Sequence, residues 1–108
     1  MEDNLEMTKE LIVRDFELEV KDDLLTEEEL FDLLADQVAY MIQYRLEFLL
    51  SLMYRLDIDE AKVNFALSPF CEEPANLAIA RLVLERQKQR VFTKRHYKPP
   101  KLDDMDFS

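Results

Sequence analysis

Residues 26–56 read TEEELFDLLADQVAYMIQYRLEFLLSLMYRL. Thr26 is placed to cap a helix, and Glu29, three positions on, completes a capping box. The acids Glu27, Glu28 and Glu29 suit the positive end of the helix dipole. From there an apolar seam runs through Phe31, Ala35, Val38, Ile42, Arg45, Leu49, Leu52 and Leu56. Its steps alternate between four and three, the spacing of a heptad seam. Leu34, Met41 and Phe48 widen it on one side, Leu46 and Met53 on the other. Asp32, Asp36, Gln43 and Glu47 form the opposite face. Neither proline nor glycine interrupts it. The pattern predicts one helix over about 27–56, roughly 45 Å long at 1.5 Å per residue. So wide an apolar surface needs cover from other helices or another subunit. Val38, Ile42, Arg45, Leu49, Leu52 and Leu56 are therefore expected to form an oligomer seam.

Downstream, Asp57 and Glu60 are placed to box a short helix over about 58–68, burying Ile58, Ala61, Val63 and Phe65. Ser68-Pro69 stops it. Phe70 and Cys71 read as core plugs. Glu73-Pro74 opens a medium helix over about 74–95. Its stripe is Leu77, Ala80, Leu84, Gln87 and Val91, flanked by Ile79 and Val83. Pro99 and Pro100 end regular structure, leaving 99–108 as a disordered acidic tail. Upstream, Phe16, Leu18 and Val20 alternate with Glu17, Glu19 and Lys21, the pattern of a short strand. Residues 1–25 are expected to be an acidic arm that contains, at most, that strand. The domain is then 26–98, and the fold class is all-α, a small helical bundle with flexible termini.

Composition narrows the chemistry. No glycine occurs in 108 residues, where about seven would be ordinary. Glycine serves positive-φ turns and close backbone approach to ligands. Without it there is no phosphate-cradling loop, dinucleotide fingerprint or nucleophile elbow. The net charge is −10. Residues 1–36 hold 14 acids and 3 bases, whereas 85–98 hold 6 bases and 1 acid. Cys71 is the only cysteine, so no intrachain disulfide or thiol-based metal site is expected. Met1-Glu2-Asp3-Asn4 has no apolar signal core, and no apolar run is long enough to span a bilayer. A soluble cytoplasmic protein without cofactor or metal is expected.

Few residues are placed for catalysis. His96 is the lone histidine and stands among Lys94, Arg95 and Lys98. It has no thiol or second imidazole nearby for zinc, and no orienting partner for general-base work. Ser51 and Ser68 have no base at motif spacing. Arg45 interrupts the seam, as a register-setting arginine paired with Glu85 or Glu73 would. The strongest site candidate is the basic run Arg86, Lys88, Arg90, Lys94, Arg95 and Lys98. Cations near a helix C-terminus complement its dipole. They could dock on acidic protein surface, in this chain or a partner. They could also contact phosphates, with Phe92 and Tyr97 available for stacking. The negative body favours protein over nucleic acid.

Three stretches carry a resemblance: 54–62 (YRLDIDEAK), 74–78 (PANLA) and 84–90 (LERQKQR). Together they are similar to a group of small, uncharacterised bacterial helical proteins over roughly 30–98. The resemblance implies an all-helical bacterial cytoplasmic protein and brings no mechanism. The expectation is a non-enzymatic protein–protein interaction or assembly module, a homo-oligomer or part of a stable hetero-complex. The alternative is a small nucleic-acid-associated regulator working through 86–98.

Overall fold

The structure, a computed structural model, describes residues 2–20 and 26–96, with side chains over 5–20 and 26–93. It is all-α, with five helices and no strand among the described residues. They are α1 (Glu2–Phe16), α2 (Glu27–Tyr44), α3 (Leu46–Arg55), α4 (Glu60–Ala66) and α5 (Ala75–His96). α5 packs against α1, α2 and α4, and α1 also packs against α2.

The α2 N-terminus forms as its sequence dictates. Thr26 Oγ1 accepts from Glu29 N at 3.1 Å, and Glu29 Oε1 accepts from Thr26 N at 2.9 Å. On α5, Ile79, Ala80, Val83, Leu84, Gln87 and Val91 are all buried, following the stripe read from the sequence. Pro74 precedes the helix, and its carbonyl accepts from Leu77 N and Ala78 N.

The acidic arm is corrected to a helix. α1 buries Thr8, Ile12 and Phe16, and Lys9 beside them. Steps of four and a half-buried Leu5 complete a helical stripe. Thr8 and Lys9 interrupt its apolar character, which hides the period. Phe16, Leu18 and Val20 form no strand: Phe16 ends α1, and 18–20 carry no regular structure. Residues 21–25, 97–108 and the expected tail over 99–108 lie outside the described residues.

The expected single helix over 27–56 is divided at Arg45. Its φ of −142° and ψ of 47° are not helical, and it ends α2 and begins α3. The hydrogen-bond ladder survives on both sides, from Arg45 N to Met41 O at 2.7 Å and from Leu49 N to Arg45 O at 3.0 Å. Arg45 pairs with neither Glu85 nor Glu73. Its Nη1 meets Glu17 Oε1 at 3.2 Å, and its guanidinium lies 4.2 Å from the Phe48 ring centroid. At 35% exposure the charge stays partly solvated. A straight seam would have sunk it in the core, where an ion costs several kcal/mol.

Two turns require left-handed backbone without glycine. Glu17 has φ 58° and Asp57 has φ 60°. Each follows a helix in a Schellman arrangement. Leu18 N donates to Val13 O at 3.0 Å, and Ile58 N to Met53 O at 3.1 Å. Asp57 N also donates to Tyr54 O at 3.0 Å. Asp57 is thus the terminator of α3, not the cap of the next helix. Asp59 caps α4 instead, its Oδ1 accepting from Ala61 N at 2.9 Å. That shift rephases α4: Val63 and Ala66 are buried, while Ala61 and Phe65 are exposed and Ile58 half-buried. Phe70, read as a core plug, is 80% exposed, and Cys71 packs half-buried on the core.

Three side chains tie separate elements together through backbone carbonyls. Gln37 Nε2 donates to Phe16 O at 3.0 Å, Asn76 Nδ2 to Ala35 O at 3.1 Å and Arg86 Nε to Leu56 O at 2.9 Å. Each meets a carbonyl at or near a helix end or at an interface between helices. Gln87, fully buried, donates to Asp15 Oδ2 and accepts from Arg90 Nη1, both at 3.4 Å.

Two consequences are measurable by denaturant unfolding. Phe16→Ala should cost about 3–5 kcal/mol, the penalty of a large core truncation; an exposed arm would show almost none. Asp57→Gly should raise stability by up to about 1 kcal/mol, since glycine removes the left-handed Cβ strain.

Candidate functional site

The expected oligomer seam is largely the chain's own core. Val38, Leu49, Leu52 and Leu56 are buried, Ile42 packs against the same cluster, and Arg45 occupies the break between α2 and α3. The cover comes from other helices of the same chain: α5 and α1, the helix hidden in the supposed arm, pack on α2, and α4 packs on α3. Val38, Leu49, Leu52 and Leu56 are therefore enclosed within the chain, whereas Ile42 is half-buried and Arg45 35% exposed.

The basic run is also drawn inward where its side chains are described. Besides its bond to Leu56 O, Arg86 approaches Asp57 Oδ2 at 3.6 Å. Lys88 Nζ meets Glu27 Oε2 at 3.0 Å, bridging α5 to the first turn of α2. Arg90 reaches Gln87. The side chains of Lys94 and Arg95, and the whole of Lys98, lie outside the described residues. Arg86 and Lys88 line a groove of ≈ 780 Å³ between α1, α4 and α5. Its charged lining is mixed: Glu27, Asp57, Asp59 and Glu85 face Lys62, Arg86 and Lys88. Such a lining does not concentrate positive potential for a polyanion. Glu73, a sequence candidate for Arg45, instead binds Arg81. That hydrogen bond and the Glu73 charge raise Arg81 above the ordinary guanidinium value. Among the described residues, no group of His, Cys, Asp and Glu could hold a metal ion, and no helix is long and apolar enough to cross a membrane.

A different surface stands out. Tyr40 and Tyr44 on α2 are 51% and 65% exposed, their ring centroids 5.0 Å apart and tilted by 44°. Beyond the break, Leu46, Leu50 and Tyr54 follow at steps of four on α3, with Tyr54 86% exposed. Residues four apart on a helix are neighbours, so each set forms a row. With about 200 Å² for a fully exposed aromatic, the three tyrosines alone present roughly 400 Å². Tyr40 and Tyr44 form one contiguous part of that area, and contiguous patches of a few hundred Å² on a single chain are often functional. The surrounding charge is low for this chain: residues 37–56 hold one acid, Glu47, and two bases, Arg45 and Arg55. Tyrosine and arginine enrichment with few acids is the composition of an interface core.

Sequence reasoning assigned Leu46 to the seam margin and gave no role to the tyrosines. The i,i+4 pairs and the gap in the acids were visible in the sequence. What was not visible was which rows α1 and α5 would cover.

The chain matches no protein-family model, no curated protein and no solved structure.

Arg86 joins α5 to the end of α3, so its loss should be felt as instability. Arg86→Ala should cost about 1.5–3 kcal/mol in chemical denaturation, the range for hydrogen bonds from charged groups. A change below about 0.5 kcal/mol would release Arg86 for external contacts.

Proposed function

We propose that this protein is a non-enzymatic interaction module whose docking surface is the exposed tyrosine and leucine face of α2 and α3. One observation carries the reading: Tyr40, Tyr44, Leu46, Leu50 and Tyr54 remain exposed in a charge-poor stretch of an acidic chain. Apolar rings cost free energy in water, and a partner that covers them recovers it. Tyrosine adds a hydroxyl that keeps the unbound face wet, which suits an interface that forms and separates. The basic run serves the fold in this reading: Lys88 pairs with Glu27, and Arg86 anchors the end of α3. The phosphate-binding alternative is disfavoured by those engagements and by the acidic body. The single thiol suits the reducing cytoplasm as the place of action.

The test is site-specific photo-crosslinking in cells. A photoreactive phenylalanine at position 40, 44 or 54 should give discrete protein adducts. The same group at Glu28, exposed in the first turn of α2, should give none. Tyr44→Ser with Tyr54→Ser should abolish the adducts formed from position 40 and move stability by no more than about 1 kcal/mol, as surface changes do. Equal labelling from position 28, or none from the face, would sink the proposal.

A further inference from the structure

We infer that the occupant of the α3 part of this face is a second copy of the chain, docked antiparallel across a two-fold axis level with Ser51. The inference rests on reading the face as a docking surface and names its partner.

Two rows lie side by side on the outer surface of α3. One is Leu46, Leu50 and Tyr54; the other is Glu47, Ser51 and Arg55, all exposed. Glu47 and Arg55 have no ion-pair partner among the described residues. They are eight residues apart, about 12 Å along the helix, with Ser51 midway. α3 carries no other charge, so it is neutral within a chain of −10.

A two-fold axis in the interface plane and perpendicular to α3 returns each row to the same side with its order reversed. Glu47 then meets the partner's Arg55, and Arg55 meets the partner's Glu47. The two Ser51 residues meet at the axis, where only small side chains let helices approach closely. The Leu50 side chains pack beside them, and Tyr54 lies near the partner's Leu46. One contact surface thus supplies two opposite-charge pairs and a continuous apolar strip. A parallel two-fold would cross the rows over, setting Glu47 and Arg55 against the partner's apolar row and leaving both charges without a counter-charge. α3 is neutral, so two copies that meet there bring no net like charge together. Tyr54, Leu46, Leu50 and the polar row make this a contact smaller than the ~800 Å² per partner of a standard interface, so the two charge pairs set its specificity.

Glu47 in the first turn of α3 and Arg55 in its last also suit the helix dipole. Charge exchange separates the two roles. Light scattering of the full chain at about 100 μM should give twice the chain mass. Glu47→Arg and Arg55→Glu should each weaken the dimer about tenfold, because each breaks both symmetric pairs. Mixing the two single variants should restore the dimer, since like charges on one chain then face opposite charges on the other. The double exchange within one chain should restore it too, although it reverses both dipole contacts. If the charges served only the dipole, mixing would restore nothing and the double exchange would be the weakest of all; either result overturns the inference. So does a monomeric wild-type chain at about 100 μM, or a dimer indifferent to both single variants. A monomer whose position 54 still crosslinks to a different protein in cells would overturn the second copy while leaving the docking face standing. Loss of all crosslinks from 40, 44 and 54 would remove both.

Discussion

Burial of the α5 stripe against α1 and α2 is the interaction on which the other helices depend. Ile79, Ala80 and Val83 are wholly enclosed, together with Ile12 and Phe16 of α1 and Leu30, Leu34, Val38 and Met41 of α2. Each large side chain so enclosed contributes about 1.5–3 kcal/mol against the entropy of ordering the chain. None of the three helices could bury its stripe alone. Gln87, in the middle of the α5 stripe, makes the packing specific. Its amide needs Asp15 on one side and Arg90 on the other, and sliding α1 along α5 would strand a buried polar group.

The chain turns its corners without glycine, and that constraint shapes the site. Glu17 and Asp57 take left-handed backbone that glycine would take more cheaply. Both are acidic, and both lie within reach of an arginine. Glu17 meets Arg45 at the break between α2 and α3, and Asp57 approaches Arg86. The turn after α1 is thereby connected to the break, and the turn after α3 to α5. These exposed pairs add little energy individually. They lie at the places where α3 leaves α2 and where it stops, the latter fixed by the backbone hydrogen bonds of the Schellman turn.

That placement produces the division of the surface. α3 points Leu49, Leu52 and Met53 into the core and turns Leu50, Tyr54, Glu47 and Ser51 outward. Most of the 24 acids lie elsewhere and keep the body hydrated. In the proposed reading this charge-poor aromatic face is where contact is made.

Local chemistry determined much of this from the sequence alone. The Thr26 capping box, the start of α5 at Pro74 and the α5 stripe depend on residues within a few turns of one another, so spacing reveals them. The all-α class follows from the same periodicity. Other features depend on distant partners. α1 is hidden because Thr8 and Lys9 stand where the helical period calls for apolar side chains; burying them costs free energy, which the packing of Ile12 and Phe16 offsets. The break at Arg45 has no proline or glycine to announce it; Glu17, 28 positions earlier, draws the guanidinium out of the seam. Asp57 and Asp59 offer equally good caps for α4, and the Schellman turn after α3 selects between them. The same applies to the surface. The sequence by itself determined that residues 31–56 carry more apolar rows than one helix neighbour can cover. Only the tertiary structure decided which rows α1 and α5 enclose and which remain on α2 and α3, because enclosure depends on helices brought together from opposite ends of the chain.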